Sequence, residues 1–443
     1  MANPCLVNTK KQSLAHCAKA LFFLSRGFCS PLAGAFYESV RAILARSVLM
    51  FTPYFTERAA GGNRVQIESA DILLLLARDV RYTNNMESLL MPTLLAAVFA
   101  ALATPAVIVA AKRLGVVDHP GGRRIHRRIT PRLGGLAVVA GFFLALWAVL
   151  PAIAPNFRPG QLAAFALAAL FLLVVGIIDD ARGVPPVLQL ASHVLVALVL
   201  VAVGMGIEEV SSPFGGGKID LNVWQIAVPG FEEGRYLQLP ADLLTVIWVV
   251  LVINAINWLD GLDGLASGVG LISAVTLALL SLSAAVGQPH VAILAMLLAG
   301  SLAGFLPYNF NPARIFLGTV GSTFVGFTLA TLAIISGGKV ATALLVLGFP
   351  IIDALTLIAR RVAVGAPPWR ADTRHLHHLL LARGLSVRRT VLALYGVTAA
   401  FGAIALLGGT TGNKLLALGL LVLLVGGILG WLVVRPVQAT SSK

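Results

Sequence analysis

The stretch that decides the fold is residues 254–266, which read NAINWLDGLDGLA. It follows the apolar run Leu243–Ile253, which with its flanks is long enough for a membrane-spanning helix. Four polar residues recur in it at every third position: Asn254, Asn257, Asp260 and Asp263. A helix keeps residues at this spacing near one face. Carboxylates at the end of a membrane helix are costly and indicate a functional site. A solvated loop is the alternative, but it would not need two amides within the helix end.

The composition indicates a membrane protein. The chain has 443 residues, of which 58% are hydrophobic and 12% charged, and its mean hydropathy is +0.89. A water-soluble domain of this length is not expected to have such a composition. We therefore predict an all-α polytopic membrane protein with about 10–11 transmembrane helices. The predicted spans are 88–111, 134–153, 160–178, 187–206, 241–258, 265–286, 289–307, 322–336, 340–359, 390–408 and 414–434.

The formal net charge of +14 does not indicate a nucleic-acid partner. Beyond the N-terminal extension, the basic residues cluster in the loops after the first and the ninth predicted span, which is the positive-inside pattern of membrane proteins. Both loops are therefore predicted to be cytoplasmic. The acidic segment 207–240 on the far side contains β-like pieces and predicts a small external hairpin. The cysteines, Cys5, Cys17 and Cys29, match no zinc or disulfide spacing.

Residues 1–87 differ from the rest of the chain, since none of their apolar pieces is long enough to span a bilayer. We expect an N-terminal extension that is disordered, or an upstream mis-start with Met86 or Met91 as the initiator. A signal peptide is not indicated, because no apolar core with a cleavage site follows the first basic residues. The transmembrane domain is predicted over 88–435 and a short cytoplasmic tail over 436–443.

Unusual polar residues gather on the predicted cytoplasmic side. Asp179 and Asp180 end the third span, and a divalent cation would relieve the repulsion between adjacent carboxylates there. Solvent-exposed acids at a helix end are the alternative. The basic run that includes Arg124 suits a diphosphate beside such a cation, or is ordinary positive-inside charge.

Three histidines, His375, His377 and His378, lie in the sequence DTRHLHH. Three close histidines suggest a zinc-binding site, but neither a cysteine nor an HExxH helix supports that interpretation. Hydrogen bonding to a phosphate or a sugar is expected instead, with a solvated polar loop as the alternative. The residues alone therefore predict phosphoryl transfer at the membrane surface.

Several separated motifs carry a resemblance to a known family. They are DHP at 118–120, RIH at 124–126, PRLGG at 131–135, GIIDD at 176–180, NAIN, DG and DGLA within 254–266, YNF, PA and F within 308–316, P and D at 350 and 353, and HLHH at 375–378. On these motifs the chain, over about residues 90–435, resembles the polyprenyl-phosphate N-acetylhexosamine-1-phosphate transferases. The HLHH form is similar to that of the N-acetylhexosamine branch rather than to the phospho-MurNAc-pentapeptide translocase.

The resemblance implies a helical bundle with a cytoplasmic active-site cleft in the bacterial cytoplasmic membrane. It implies transfer of a sugar-1-phosphate from a UDP-sugar such as UDP-GlcNAc to undecaprenyl or another polyprenyl phosphate, with release of UMP. Such a step begins a cell-envelope polysaccharide such as O-antigen or lipopolysaccharide. Mg²⁺ is the implied cofactor, with Mn²⁺ as an alternative, and a homodimer is left open.

The resemblance also implies roles for individual residues. Catalytic roles fall to Asp179, as the base or phosphate-activating carboxylate, and to Asp180, Asp260 and Asp263. Asp179, Asp180 and Asp260 are also the implied metal ligands. The implied substrate-binding residues are Asn254, Asn257, Arg124, His126, Asn309, His375, His377 and His378.

Thr319 is the main departure from the family pattern. It lies in FLGTVGS at 316–322, where an Asp that binds Mg²⁺ is usual, and a neutral hydroxyl is a poor replacement for a hard anionic ligand. Gln189, His193 and Thr373 are lesser departures. Three hypotheses follow: an active transferase, a weakened or inactive homologue that binds lipid phosphate or nucleotide sugar, and an unrelated transporter with ionisable groups at mid-membrane.

Overall fold

The computed structural model describes residues 87–119, 129–212, 217–227, 236–283, 286–336, 340–363, 365, 375–407 and 411–434. Nearly all of the N-terminal extension, the C-terminal tail and the predicted site residues Arg124 and His126 lie outside these ranges. The described part of the chain is mainly helical. Its helices are α1 Glu87–Arg113, α2 Gly135–Ile153, α3 Gln161–Arg182, α4 Pro186–Ala202, α5 Ala241–Leu259, α6 Leu265–Leu282, α7 Pro289–Asn309, α8 Gly318–Ile335, α9 Val340–Val346, α10 Gly348–Ala363, α11 Leu376–Ala382, α12 Val387–Leu407 and α13 Thr411–Val434.

Three short antiparallel ribbons accompany the helices. Their strands are β1 Val117–Asp118, β2 Thr130–Pro131, β3 Glu209–Ser211, β4 Lys218–Asp220, β5 Asn222–Ala227 and β6 Tyr236–Pro240. β1 pairs with β2, β3 with β4, and β5 with β6. The predicted β-like segment thus forms two ribbons, and β6 leads directly into the N-terminal end of α5.

The prediction of an all-α polytopic membrane protein is confirmed. Within the described residues, eight helices are long and apolar enough to cross a bilayer: α1, α2, α3, α5, α6, α7, α8 and α12. Helix α4 has only 17 residues, and the apolar segment Gly412–Leu423 of α13 is also shorter than a full span. A helix is nevertheless present at each of the predicted spans.

The predicted ninth span, 340–359, was wrong as a continuous helix. It is interrupted at Leu347, which separates α9 from α10. Gly348 and Pro350 begin α10, and proline is tolerated in the first turn of a helix but not in its interior because it lacks the N–H donor. The apolar character of the run concealed this interruption.

Helix α8 is the centre of the bundle. Of its 18 most apolar consecutive residues 89% are buried, whereas in α1 the corresponding share is 28%. Helix α8 contacts α2, α3, α5, α6 and α7. A Cβ atom at Gly176 of α3 would lie 2.7 Å from the Cα atom of Val320. One at Gly326 would lie 2.7 Å from the Cα atom of Ile253 in α5. Small residues therefore let α3 and α5 approach α8 closely, which brings their C-terminal ends beside the N-terminus of α8.

Candidate active site

The N-terminus of α8 binds two of the predicted catalytic carboxylates. The N–H of Gly318 donates to Asp260 Oδ2 at 2.9 Å. The N–H groups of Thr319 and Val320 donate to the two oxygens of Asp180, at 3.0 and 3.2 Å. The first N–H groups of a helix have no partner within the helix, so its N-terminus attracts anions. Here it joins the ends of α3 and α5 through their own acids.

Gly318 is required by this arrangement. Its φ is +72°, a left-handed conformation that other residues rarely adopt. A Cβ atom there would lie 2.1 Å from the carbonyl oxygen of Arg132 and 2.5 Å from Asp180 Oδ2. The Arg132 Nε atom lies 3.9 Å from Asp180 Oδ1, and the Asp180 side chain is fully buried whereas that of Arg132 is 40% exposed. Arg132 thus remains accessible to an anion while it faces the buried carboxylate.

Thr319 holds Asp179 in place. Its hydroxyl donates to Asp179 Oδ2 at 2.6 Å, and the N–H of Val184 donates to Asp179 Oδ1 at 2.7 Å. Both Asp179 and Thr319 are half-buried. The residue that departs from the family pattern therefore positions the predicted base.

Asp263 and Asn309 are tied to the loop that follows α7. Asp263 Oδ2 accepts hydrogen bonds from Asn311 Nδ2 at 2.8 Å and from the N–H of Ala313 at 3.0 Å. Asn309 is buried; it accepts from Ser267 Oγ at 2.7 Å and donates to the carbonyl oxygen of Ile315 at 3.0 Å. Its amide is thus engaged inside the protein, although Asn309 also borders the cleft described below.

The two asparagines of α5 face different neighbours. Asn257 Oδ1 accepts a hydrogen bond from Ser322 Oγ at 2.7 Å, and Asn257 lines the cleft. Asn254 Nδ2 donates to the carbonyl oxygen of Val250 at 2.7 Å and lies 3.1 Å from His193 Nδ1 of α4. Asn254 is therefore directed towards α4, and the structure does not bring it to the cleft.

The histidine segment is fixed by Asp353, which is not among the predicted site residues. Asp353 Oδ2 lies 2.8 Å from His375 Nδ1, and Asp353 Oδ1 accepts from the N–H of Leu376 at 2.9 Å. The next histidine, His377, is buried, and its ring lies 4.3 Å from that of His378. An acid within an apolar run was the signal that could have identified Asp353.

These elements enclose a cleft of about 370 Å³ at one end of the bundle. Its polar lining includes Arg132, Asn257, Asp260, Asp263, Thr319 and His378. A second groove, of about 410 Å³, runs along Asp179, Asp180 and Arg182. Asp118 and Arg132 border both, so the two spaces adjoin. The polar ends of α3, α5, α6, α8 and α11 therefore meet at the same end of the protein.

The charge environment of Asp260 suits a cation. Burial raises the pKa of Asp260 well above its usual value, and the carboxylate of Asp180 raises it further. The N–H of Gly318 and the guanidinium of Arg132 only partly oppose these effects. Carboxylate oxygens are the ligands that Mg²⁺ prefers, commonly one or two of them together with substrate phosphates. The residues present thus fit a hard divalent cation at Asp260.

The three predicted metal ligands do not form a compact set by themselves. Within the described residues, the group whose ligand atoms all lie within 4.8 Å of one another is Asp353, His375 and His377. Asp179, Asp180 and Asp260 instead all accept hydrogen bonds from the start of α8. The assignment of Asp179, Asp180 and Asp260 as joint metal ligands remains a prediction.

Comparisons with known proteins identify relatives of this chain. The model of the family "Glycosyl transferase family 4" matches residues 162–337. A probable undecaprenyl-phosphate N-acetylglucosaminyl 1-phosphate transferase of Bacillus subtilis is 32% identical over 328 residues, which is 72% of this chain and 85% of that protein. The decaprenyl-phosphate N-acetylglucosaminephosphotransferase of Mycolicibacterium smegmatis is 34% identical over 358 residues, 74% of this chain and 84% of that protein. An undecaprenyl-phosphate alpha-N-acetylglucosaminyl 1-phosphate transferase of Haemophilus influenzae is 31% identical over 313 residues, 67% of this chain and 80% of that protein.

Proposed function

Because the chain belongs to glycosyl transferase family 4 and is a sugar-phosphate transferase of the membrane, we propose that it transfers N-acetylhexosamine-1-phosphate from a UDP-sugar to undecaprenyl phosphate. An oxygen of the lipid phosphate forms a bond to the sugar-bearing phosphorus of the donor. The bond from that phosphorus to the bridging oxygen breaks, and UMP leaves with the oxygen. The products are UMP and a lipid-linked diphosphate sugar, the first membrane intermediate of a cell-envelope polysaccharide.

The observation that carries this proposal is the position of Asp179, Asp180 and Asp260 around the N-terminus of α8, beside a cleft that holds further polar groups. Phosphoryl transfer depends mainly on positioning and on stabilising charge. Fixed carboxylates at the ends of α3 and α5, held by the start of α8, provide the positioning.

The residues divide between the two substrates. Asp179 borders the groove beside Arg182 and is held by Thr319, so it is assigned to the acceptor phosphate. Arg132 borders both spaces and is assigned to the phosphate that passes between them. Asn257, Asp260, Asp263 and His378 line the cleft and are assigned to the donor.

Mg²⁺ is proposed as the cofactor, with Mn²⁺ as a substitute. Asp260 would hold it together with donor phosphates, and Asp179 and Asp180 are the other predicted ligands. When bound, the cation neutralises the charge of the donor diphosphate.

The alternative of a weakened or inactive homologue rests on Thr319. In the structure the Thr319 hydroxyl binds Asp179 rather than leaving a gap in the site, which favours an active enzyme. The transporter hypothesis is disfavoured because the ionisable groups meet at one end of the bundle.

The test uses the purified full chain with UDP-N-acetylglucosamine, undecaprenyl phosphate and Mg²⁺, and follows both UMP release and lipid-linked product. We expect product with the wild type and none with Asp179→Asn. Asp220→Asn, an exposed acid of strand β4, is the matched control and should retain activity. Equal activity of the Asp179 variant and the wild type would contradict the proposal, as would wild-type protein that makes no product with any UDP-N-acetylhexosamine.

We further propose the bacterial inner membrane as the location, with the cleft facing the cytoplasm. Cys5, Cys17 and Cys29 are replaced by serine, and a single cysteine is introduced at one of two exposed positions. These are Ser386, which precedes the cleft residue Val387, and Asn156, which precedes the end of α3 that is opposite to Asp179. A membrane-impermeant maleimide applied to whole cells from the outside should label Asn156→Cys only. Labelling of Ser386→Cys alone would reverse the orientation.

A further inference from the structure

A cluster of three buried ligand groups lies in the histidine segment. Asp353, His375 and His377 each offer one ligand atom, and these atoms all lie within 4.8 Å of one another. Their relative exposures are 2%, 5% and 0%. The rings of His375 and His377 are stacked, with centroids 5.3 Å apart and an interplanar angle of 13°. The geometry therefore gathers one carboxylate and two imidazoles among buried residues.

His377 is the residue that indicates a bound ligand. Neither its Nδ1 nor its Nε2 has a hydrogen-bond partner among the residues that the structure describes. A neutral imidazole carries one donor and one acceptor, and buried polar atoms are nearly always paired. Neutral imidazole is the form of histidine that binds metals. A ligand that accepts a nitrogen lone pair would satisfy it.

Asp353 orders the cluster in advance. It lies against His375 Nδ1 and accepts the N–H of Leu376, so one carboxylate fixes both a histidine ring and the start of α11. The cluster is thus preorganised rather than dependent on a ligand for its shape.

The ligand atoms of the cluster indicate the class of metal. Two imidazole nitrogens and a carboxylate oxygen suit Zn²⁺ and related transition metals, whereas Mg²⁺ prefers oxygen ligands throughout. Three protein ligands also leave one position for water or a phosphate oxygen, as in catalytic zinc sites. The cluster differs in this respect from the all-oxygen environment of Asp260.

We propose that Asp353, His375 and His377 form a binding site for a divalent transition metal ion of the Zn²⁺ class, separate from the hard-cation site at Asp260. The ion links α10 to the segment that presents His378 to the cleft. Its occupancy does not depend on the proposed transferase reaction, whereas its effect on donor binding does.

The test measures metal binding without substrates, so it remains informative if the proposed reaction fails. The full chain is purified with an affinity tag that contains no histidine, stripped with a chelator, and titrated with Zn²⁺ and with Co²⁺. We expect about one equivalent per chain, visible Co²⁺ absorption typical of a low-coordinate site, and no displacement by excess Mg²⁺. Displacement by Mg²⁺, or binding of neither metal, would overturn the proposal.

Variants locate the ion. His377→Ala and Asp353→Asn should weaken binding at least about tenfold, whereas His290→Ala, a control histidine at the far end of α7, should not. Equal affinity of His377→Ala and the wild type would contradict the assignment. Because His377→Ala removes a buried ring, His377→Cys is the second variant, made with the three native cysteines replaced by serine. It should retain Co²⁺ and add a thiolate-to-metal charge-transfer band; a variant that binds Co²⁺ without that band would place the ion elsewhere.

Discussion

Replacing Thr319 with valine tests how the site positions its predicted base. Valine keeps the shape of threonine but removes the hydroxyl that donates to Asp179 Oδ2 at 2.6 Å. Asp179 would then keep only the hydrogen bond from the N–H of Val184 on its other oxygen. The change should therefore free one carboxylate oxygen without opening a cavity.

The structure sets the expected size of the effect. A hydrogen bond to a charged group contributes about 1.5–3 kcal/mol, and because both partners are half-buried we take the lower end. About 1.4 kcal/mol corresponds to a factor of ten. Thr319→Val should thus lower kcat/KM about tenfold, and Thr319→Ser, which keeps the hydroxyl, should restore most of it.

The assay is UMP release at saturating Mg²⁺, with each variant checked for monodispersity and thermal unfolding. Thr323→Val is the control, because the Thr323 hydroxyl donates only to the carbonyl oxygen of Thr319, one turn earlier in the same helix. It should stay within about twofold of the wild type. If Thr319→Val matches the wild type, or Thr319→Ser is as impaired as Thr319→Val, the hydroxyl does not position Asp179.

Thr319→Asp extends the same reasoning to the cation. A carboxylate at this position would face Asp179, and the repulsion between them would be relieved by a divalent cation. We expect a lower half-saturating Mg²⁺ concentration than that of the wild type. An unchanged Mg²⁺ dependence would show that position 319 does not contact the cation.

Further predictions concern the same end of the bundle. Gly318→Ala should abolish activity, since its Cβ atom would meet a buried carboxylate, whereas Gly384→Ala, at a similar φ of +87° with no atom within 4 Å, should retain it; equal loss in both would indicate backbone strain alone. Ser267→Ala leaves buried Asn309 Oδ1 without its donor and should lower the free energy of unfolding by about 1–3 kcal/mol. Ser281→Ala, whose hydroxyl donates within its own helix, should cost less, and thermal unfolding in detergent compares the two. Removal of divalent cations with EDTA should stop UMP release and added Mg²⁺ should restore it; activity that persists in EDTA would contradict the cation requirement.

Much of the fold follows from the sequence because long apolar runs separated by charged loops leave few alternatives to membrane helices. The interruption at Leu347 was not predicted, since hydropathy does not report where a backbone hydrogen-bond ladder breaks. The meeting of Asp180 and Asp260 was expected from the alternation of helix directions, which returns their helix ends to the same side. The number of helices and the direction of each one thus predict which end of the bundle carries the site.

The individual contacts were less predictable. Asn254 and Asn257 are three positions apart, yet one faces α4 and the other the cleft, because only packing decides which part of a helix face meets a neighbour. Asn309 matches a family motif, but its amide supports the protein interior. The partners of Asp180 are main-chain N–H groups, which leave no trace in the identity of the residues that carry them.

The main-chain donors at the start of α8 affect which substitutions the site can tolerate during evolution. A side-chain donor is lost by many single substitutions, whereas an N–H group is removed only by proline. The contacts that positions 319 and 320 make to Asp180 through their N–H groups therefore survive almost any mutation there, provided that the helix still begins at Gly318. The side chain at position 319 can therefore change during evolution while these main-chain hydrogen bonds to Asp180 are kept. A threonine in place of an aspartate is such a change.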